Sequence, residues 1–209
     1  MSRSIKFYYG LSGTFKTTTI KTKLGTGDDV LWSGIKRWKI WEKDVLMGKN
    51  NPSDLNFALL HLSRLSDLVF NIAKDDSTLF IERGVSDMLF YWLRNNPACK
   101  EETIITNLIE EELRVSKKSA GGDREPEKIL LVQRDYDFVR DVVFKEPSRS
   151  KCFPGGIEEY IDTQNQYIDF TKKYNKITSI VEINNAKEYL RNLGVNWETQ
   201  EISSNKINF

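Results

Sequence analysis

The chain has 209 residues, of which 39% are hydrophobic and 29% are charged, a composition typical of a single folded domain. No apolar run approaches the roughly 20 residues of a membrane span, and the polar amino terminus does not resemble a signal peptide, so we expect a cytoplasmic protein without a membrane partner. Two cysteines and a single histidine, His61, exclude a disulfide framework and a histidine-rich metal site, and 31 basic against 30 acidic residues give no overall attraction to nucleic acid.

Short apolar segments alternate with amphipathic segments along the chain. The apolar segments predict five strands, at residues 5–9, 30–32, 77–81, 128–133 and 178–183. The amphipathic segments predict helices, at residues 16–24, 38–46, 55–72, 88–93, 104–115, 136–144, 158–174 and 186–193. This alternation predicts an α/β fold, a three-layer sandwich around a parallel five-stranded sheet, over residues 1–195, with a polar tail at 196–209.

Two segments carry expectations that rest on periodicity alone. Leucines recur every three or four residues from Leu55 to Leu65, which predicts that their face of the helix enters the core and that His61 lies at the surface or is half-buried. Residues 116–127 are polar and contain two glycines, so we predict a mobile loop there.

The first strand is followed by a sequence that matches G-x-x-x-x-G-K-[ST] except at Phe15, namely Gly10-Leu11-Ser12-Gly13-Thr14-Phe15-Lys16-Thr17. In such a loop the backbone N–H groups and the start of the next helix bind phosphate oxygens, the lysine reaches the β- and γ-phosphates, and the last hydroxyl binds Mg²⁺. The residues predicted to line the phosphate site are Gly10, Ser12, Gly13, Thr14, Phe15, Lys16, Thr17 and Thr18. The alternative is a turn that binds nothing.

Phe15 occupies the place of the second glycine of that pattern. A Cβ at this position crowds the loop. We expect Phe15 to adopt dihedrals that a non-glycine residue tolerates, in a loop that is shifted but still open to an anion.

A second candidate site follows the third predicted strand, where Glu82-Arg83 ends the run Leu79-Phe80-Ile81. Ligands of open α/β sheets bind at the carboxyl ends of the strands, so this pair is expected beside the phosphate loop. A surface ion pair is the alternative.

These motifs, and the order of elements from residue 5 to about residue 185, resemble the deoxynucleoside kinase and thymidylate kinase group of P-loop kinases. The tryptophan-bearing segment 32–38 and a basic lid near 145–156 belong to the same resemblance. It implies that Lys16, Arg83, Glu82 and Arg149 are catalytic and that Thr17 and Glu82 place Mg²⁺. It also implies basic residues that close over the donor phosphates: Arg140, Lys145, Arg149 and Lys151. For each of these four, a solvated surface residue is an equal alternative.

The chain departs from that group where its deoxynucleoside kinases carry a Glu-Pro, because Ser33-Gly34 stands there. Either the base comes from Glu42, Asp44 or Asp87, or the acceptor is a monophosphate that needs no base. In the second case the resemblance implies that Lys36 or Arg37 holds the acceptor phosphate. The residues expected around the acceptor are Lys36, Arg37, Trp38, Trp41, Phe57, Asp87, Phe90 and Tyr91, with core packing as the alternative for the aromatic ones.

The sequence therefore predicts an enzyme, an ATP- and Mg²⁺-dependent phosphotransferase acting on a nucleoside monophosphate or nucleoside, most often a deoxy one. A P-loop kinase that acts on a nucleic acid, at a 5′ end or a modified base, is a second reading, disfavoured by the near-zero net charge. A degenerate kinase fold that binds nucleotide without turnover is a third. Whether two copies form a homodimer stays open.

Overall fold

The computed structural model describes residues 4–31, 58–59, 61–66, 77–95, 102–119 and 125–195. Its strands are β1 Ser4–Tyr9, β2 Asp29–Leu31, β3 Thr78–Glu82, β4 Glu127–Gln133 and β5 Ser179–Ile183. Its helices are α1 Lys16–Lys23, α2 Val85–Asn95, α3 Glu102–Ser119, α4 Tyr136–Asp141, α5 Pro147–Ser150, α6 Gly156–Asn175 and α7 Ala186–Asn192, with a 3₁₀ turn at Val143–Lys145. Residues 61–66 are also helical.

The five strands form one parallel sheet in the order β2-β3-β1-β4-β5. Helices cover both faces of this sheet, so the predicted three-layer α/β sandwich is confirmed. The strands lie within about two residues of their predicted positions, since each is a short apolar run bounded by polar residues or glycine.

Alternation along the strands divides the core into two layers, because successive side chains of a strand point to opposite faces. On one face, Phe7 and Tyr9 of β1 pack with Tyr160 and Tyr167 of α6. On the other face, Tyr8 packs with Ile20 of α1 and with residues of β3, β4 and β5. Strand β4 is buried on both faces, as its continuous apolar run predicts.

The strand order places the two motifs side by side. Strands β1 and β3 are neighbours, and Tyr8 pairs in register with Glu82. Because the strands are parallel, the loop that follows β1 and the Glu82-Arg83 pair that ends β3 emerge at the same edge of the sheet.

Two expectations about helices are wrong. Within residues 58–59 and 61–66, Leu65 is buried and the half-buried Leu62 packs against the core, as the leucine spacing predicts, whereas Leu59 is 49% exposed. His61 is completely buried because it has a buried acidic partner, which periodicity does not reveal.

The second wrong expectation is the loop predicted at residues 116–127. Residues 116–119 continue α3 instead of starting a loop, since Ser116 is buried and bonds back to the carbonyl oxygen of Glu112, and the lysines that follow are good helix formers. Among the described helices, none is long and apolar enough to cross a membrane.

Candidate active site

The loop after β1 turns sharply at its two glycines. Gly10 has φ 142° and Gly13 has φ 85°, conformations that favour glycine. A Cβ on Gly10 would lie 2.5 Å from the carbonyl oxygen of Leu131 and 2.6 Å from Oγ1 of Thr14, so the loop passes too close to β4 for any side chain at this position.

Lys16, the first residue of α1, folds back over this loop. Its Nζ donates to the carbonyl oxygens of Gly10 at 2.7 Å and of Leu11 at 2.8 Å, and lies 3.3 Å from Oγ1 of Thr14. The side chain is only 5% exposed. The loop therefore encloses an ammonium group beside the first turn of α1, whose N–H groups have no partner within the helix. Such a convergence of donors and positive charge binds phosphate.

Phe15 differs from the sequence expectation. Its backbone lies in the left-handed region, with φ 57° and ψ 23°, which is the conformation of a glycine and not one that a bulky residue commonly adopts. Its ring packs against Phe138, with ring centroids 5.3 Å apart, and against Tyr189, with centroids 5.9 Å apart. Aromatic packing worth about 0.5–1.5 kcal/mol per pair offsets a backbone cost of about 1–2 kcal/mol. The loop thus keeps a glycine-like path despite the substitution.

Glu82 and Arg83 meet the loop as the sheet order requires. The Thr17 hydroxyl donates to Oε1 of Glu82 in a short hydrogen bond, and Glu82 is buried. Arg83 has φ 65° and its N–H donates to the carbonyl oxygen of Tyr8 at 2.9 Å, which fixes the turn that ends β3. The guanidinium carbon lies 6.0 Å from the centre of the Tyr91 ring.

The charges around Arg83 keep it protonated. Burial by itself lowers the pKa of the Arg83 guanidinium, but the Tyr91 hydroxyl and the carboxyl groups of Asp87 and Glu82 raise that pKa above its usual value. Arg83 is therefore a permanent cation at the edge of the sheet where the phosphate loop lies.

Asp87 lies in the first turn of α2 and is completely buried. Its Oδ2 accepts from the N–H of Gly84 at 3.4 Å. Burial raises the pKa of the Asp87 carboxyl, and the nearby Arg83 guanidinium, Lys16 ammonium and Tyr167 hydroxyl oppose that rise. Asp87 thus faces both cations of the site from the protein interior.

Helix α6 holds the loop from its other side. The Tyr160 hydroxyl donates to the carbonyl oxygen of Ser12 at 2.9 Å, and the Tyr167 hydroxyl accepts from the N–H of Gly10 at 3.2 Å. Gln164 exchanges two hydrogen bonds with the backbone of Gln133, whose side chain donates to the carbonyl oxygen of Gly13 at 3.1 Å.

Sequence reasoning missed these loop-holding residues. Tyr160, Gln164 and Tyr167 are four and three residues apart, which places them on one face of a helix. A glutamine and two tyrosines on one buried helix face could have indicated this role, because buried polar groups need hydrogen-bond partners.

The basic residues predicted to form a lid lie at the surface where the structure describes their side chains. Arg140 is exposed and pairs with Asp137 and Asp141, while Lys145 and Lys151 are exposed. Phe90, expected near the acceptor, is instead buried in the core against Tyr167 and Phe170, whereas Tyr91 is half-buried beside Arg83. The side chain of Arg149 lies outside the described part of the structure, as do Ser33, Lys36, Arg37, Trp38, Trp41, Glu42, Asp44 and Phe57.

The oxygen atoms of Thr17 and Glu82 are the donor set that fits Mg²⁺. Within the described residues, no three His, Cys, Asp or Glu side chains come together as a metal site. Proteins bind Mg²⁺ through one or two carboxylate or hydroxyl side chains together with substrate phosphates and water.

Three solved structures match this chain over 92% of its length. Thymidylate kinase from Ehrlichia chaffeensis is 11% identical, is covered over 100% of its own chain and has a TM-score of 0.51. Deoxyadenosine kinase from M. mycoides is 16% identical and thymidylate kinase from Candida albicans 15%, with 97% and 90% of their chains covered and TM-scores of 0.49 and 0.48. No protein-family model and no curated protein sequence matches the chain.

At this identity the likeness to the Ehrlichia chaffeensis enzyme is one of fold. It agrees with the parallel sheet order and with the position of the glycine-containing loop between β1 and α1. The chain shares the overall α/β fold of that thymidylate kinase, and the resemblance found in its sequence is confirmed at the level of fold.

Proposed function

We propose that this protein is a nucleotide kinase that transfers the γ-phosphoryl group of ATP to a nucleoside monophosphate or nucleoside, preferably one with a deoxyribose sugar. The observation that carries the proposal is the convergence of the Lys16 ammonium, the Thr17–Glu82 contact and the Arg83 guanidinium on one edge of the sheet. Lys16 and Thr17 follow the loop after β1, and Glu82 and Arg83 lie at the end of β3. Together these groups can bind a polyphosphate.

The residues would act by positioning and by neutralising charge, which supply most of the rate in phosphoryl transfer. Loop N–H groups bind the phosphates, and Lys16 exchanges the carbonyl oxygens of Gly10 and Leu11 for β- and γ-phosphate oxygens. The acceptor oxygen forms a bond to the γ-phosphorus while the bond from that phosphorus to the bridging oxygen breaks, and ADP leaves. Mg²⁺ held by Thr17 and Glu82 would neutralise phosphate charge.

A monophosphate is the favoured acceptor. A nucleoside hydroxyl benefits from a carboxylate base within hydrogen-bond reach, whereas a monophosphate is already anionic. Asp87, one of the three candidate bases, is buried against the N–H of Gly84 and faces Lys16 and Arg83 from the interior, which supports an acceptor that needs no base. Lys36 and Arg37 follow Ser33 in the sequence and would supply the cations for the acceptor phosphate.

The acceptor is tested by incubating the protein with γ-labelled ATP and a panel of nucleosides, their monophosphates and oligonucleotides. We expect label on monophosphates, and we expect Arg37→Ala to raise the acceptor KM far more than the ATP KM. Faster labelling of nucleosides would overturn the monophosphate preference and point to a base. Label on oligonucleotides alone would favour a nucleic-acid kinase, and ATP binding without transfer would favour a degenerate kinase.

A further inference from the structure

The turn that carries Arg83 is held by a carboxylate from a different helix. Oε1 of Glu112, on α3, accepts from the N–H of Val85 at 2.8 Å. Val85 is the first residue of α2 and lies two positions after Arg83. Glu112 thus occupies the amino terminus of α2, where a negative charge is favoured by the helix dipole and where N–H groups lack partners within the helix.

Glu112 is fully buried and is enclosed by complementary groups. Nε2 of His61 lies 3.3 Å from its Oε1, with both side chains completely inaccessible to solvent. Lys128 of β4 is also buried, and burial lowers the pKa of its ammonium while Glu112 opposes that shift from the same layer. A carboxylate in such a place is tolerated because these partners compensate for the lost water.

The Glu112 carboxylate packs closely against the backbone of Gly84, the residue after Arg83. A Cβ on Gly84 would lie 2.8 and 2.9 Å from the two carboxylate oxygens of Glu112 and 2.9 Å from the Tyr9 hydroxyl, so a side chain there would displace that carboxylate. Three consecutive N–H groups of the turn donate hydrogen bonds: Arg83 to the Tyr8 carbonyl, Gly84 to the Asp87 carboxylate and Val85 to the Glu112 carboxylate.

Arg83 needs this support because its backbone lies in the left-handed region. Such a conformation persists only when its surroundings impose it. Glu112 contributes to those surroundings, because it accepts from the N–H of Val85 two residues later.

We propose that Glu112, held in place by His61, is a positioning residue that aims Arg83 at the transferring phosphate. This inference rests on the proposed function and adds to it the buried His61–Glu112 pair, which contacts neither ATP nor the acceptor. The pair acts through the backbone of residues 83–85, and its effect on catalysis passes through Arg83 alone.

The test compares Glu112→Ala, which removes the acceptor of the Val85 N–H, with Glu112→Gln, which keeps an oxygen there. Glu110→Gln is the control, because Glu110 lies on the same helix and is exposed. Glu112→Ala should lower kcat by up to about 100-fold, the effect of a misplacement of about 1 Å, with the ATP KM changed less than about threefold. Glu112→Gln should recover most of that loss, and Glu110→Gln should match the wild type.

A double-mutant cycle separates positioning from a general loss of structure. In an Arg83→Ala background, Glu112→Ala should change kcat by less than about twofold, since the two residues act as one unit. An undiminished loss in that background would overturn the proposal. If Glu112→Ala does not fold, His61→Gln and Gly84→Ala take its place in the same cycle, because both disturb the same carboxylate.

Amide hydrogen exchange decides the matter independently of activity. The N–H groups of Gly84 and Val85 should exchange faster in Glu112→Ala, or in Gly84→Ala, while those of β4 stay unchanged. Unchanged exchange at both residues would overturn the proposal. A wild-type protein that transfers no phosphoryl group would instead refute the proposed function, and the exchange experiment would still report on the turn.

Discussion

At the scale of single residues, Phe15 shows how a departure from a motif is accommodated. Its left-handed backbone reproduces the path of a glycine, and its ring finds partners in α4 and α7. Sequence reasoning identified the anomalous position but expected other dihedrals, because the two aromatic partners come from residues more than 100 positions away in the chain.

Replacing Phe15 with glycine separates these two effects. Phe15→Gly should preserve ATP affinity, because the backbone already has glycine-like dihedrals, and should lower the free energy of unfolding by about 1–2 kcal/mol through lost ring packing. Phe15→Ala loses the ring and keeps the backbone cost, so it should be less stable than Phe15→Gly by about 1 kcal/mol. Denaturant unfolding and calorimetric ATP titration measure the two quantities. A large loss of ATP affinity in Phe15→Gly would show that the ring itself contacts nucleotide.

Asp87 gives a prediction for the pH dependence of stability. Because burial raises the pKa of its carboxyl in the folded state, the unfolded chain releases that proton first as the pH rises. Compared with Asp87→Asn, the wild type should therefore lose stability as the pH rises from about 4, the ordinary value for an aspartate, to the folded pKa, and hold a constant difference above it. Urea unfolding of both proteins at several pH values tests this. A wild type that gains stability relative to Asp87→Asn over that range would contradict it.

At the scale of elements, α6 connects the segment predicted to be a lid, residues 145–156, to the phosphate loop. The helix begins directly after the lid, and its residues Tyr160, Gln164 and Tyr167 bond to the loop or to the strand beside it. Near the start of the same helix, Glu159 pairs with Arg94 of α2 at 2.5 Å. Helix α6 thus fixes the loop relative to the helix that follows Arg83.

Removing one of these bonds should weaken nucleotide binding more than it weakens the fold. Tyr167→Phe leaves the buried N–H of Gly10 without its acceptor, which costs about 1–3 kcal/mol, and we expect the ATP KM to rise at least about fivefold. Tyr174→Phe on the same helix is the matched control, because its hydroxyl bonds to the exposed Glu102. Steady-state kinetics of both variants measure this effect. Equal ATP KM values for Tyr167→Phe and Tyr174→Phe would contradict a role for α6 in shaping the loop.

Elements were predicted well where a local pattern determines them. The five strands and the loop motif could be located because apolar runs and glycine spacing are local signals. The burial of His61 and Glu112 could not be predicted, since each is the partner of the other and they belong to different elements. Of these two side chains, Glu112 bonds to the turn after Arg83.

At the scale of the whole molecule, parallel strand order turns two separate motifs into one candidate site. The sequence predicted that Lys16, Thr17, Glu82 and Arg83 belong to one site, because ligands of open α/β sheets bind at the carboxyl ends of the strands. The structure adds the buried layer beneath them, where Asp87 and Tyr167 face the cations and Glu112 supports the turn. The roles of Lys36, Arg37 and the lid arginine stay predictions from the sequence.

The central claim is that Lys16 binds the phosphates that are transferred, and its direct test is transfer of label from γ-labelled ATP to a nucleoside monophosphate. Lys16→Ala should fold normally and lose two to three orders of magnitude in rate, about 3–4 kcal/mol of transition-state stabilisation. Lys21→Ala, an exposed lysine on the same helix, should keep the wild-type rate. Near-normal transfer by a well-folded Lys16→Ala protein would contradict the assignment of the phosphate loop and, with it, the proposed kinase.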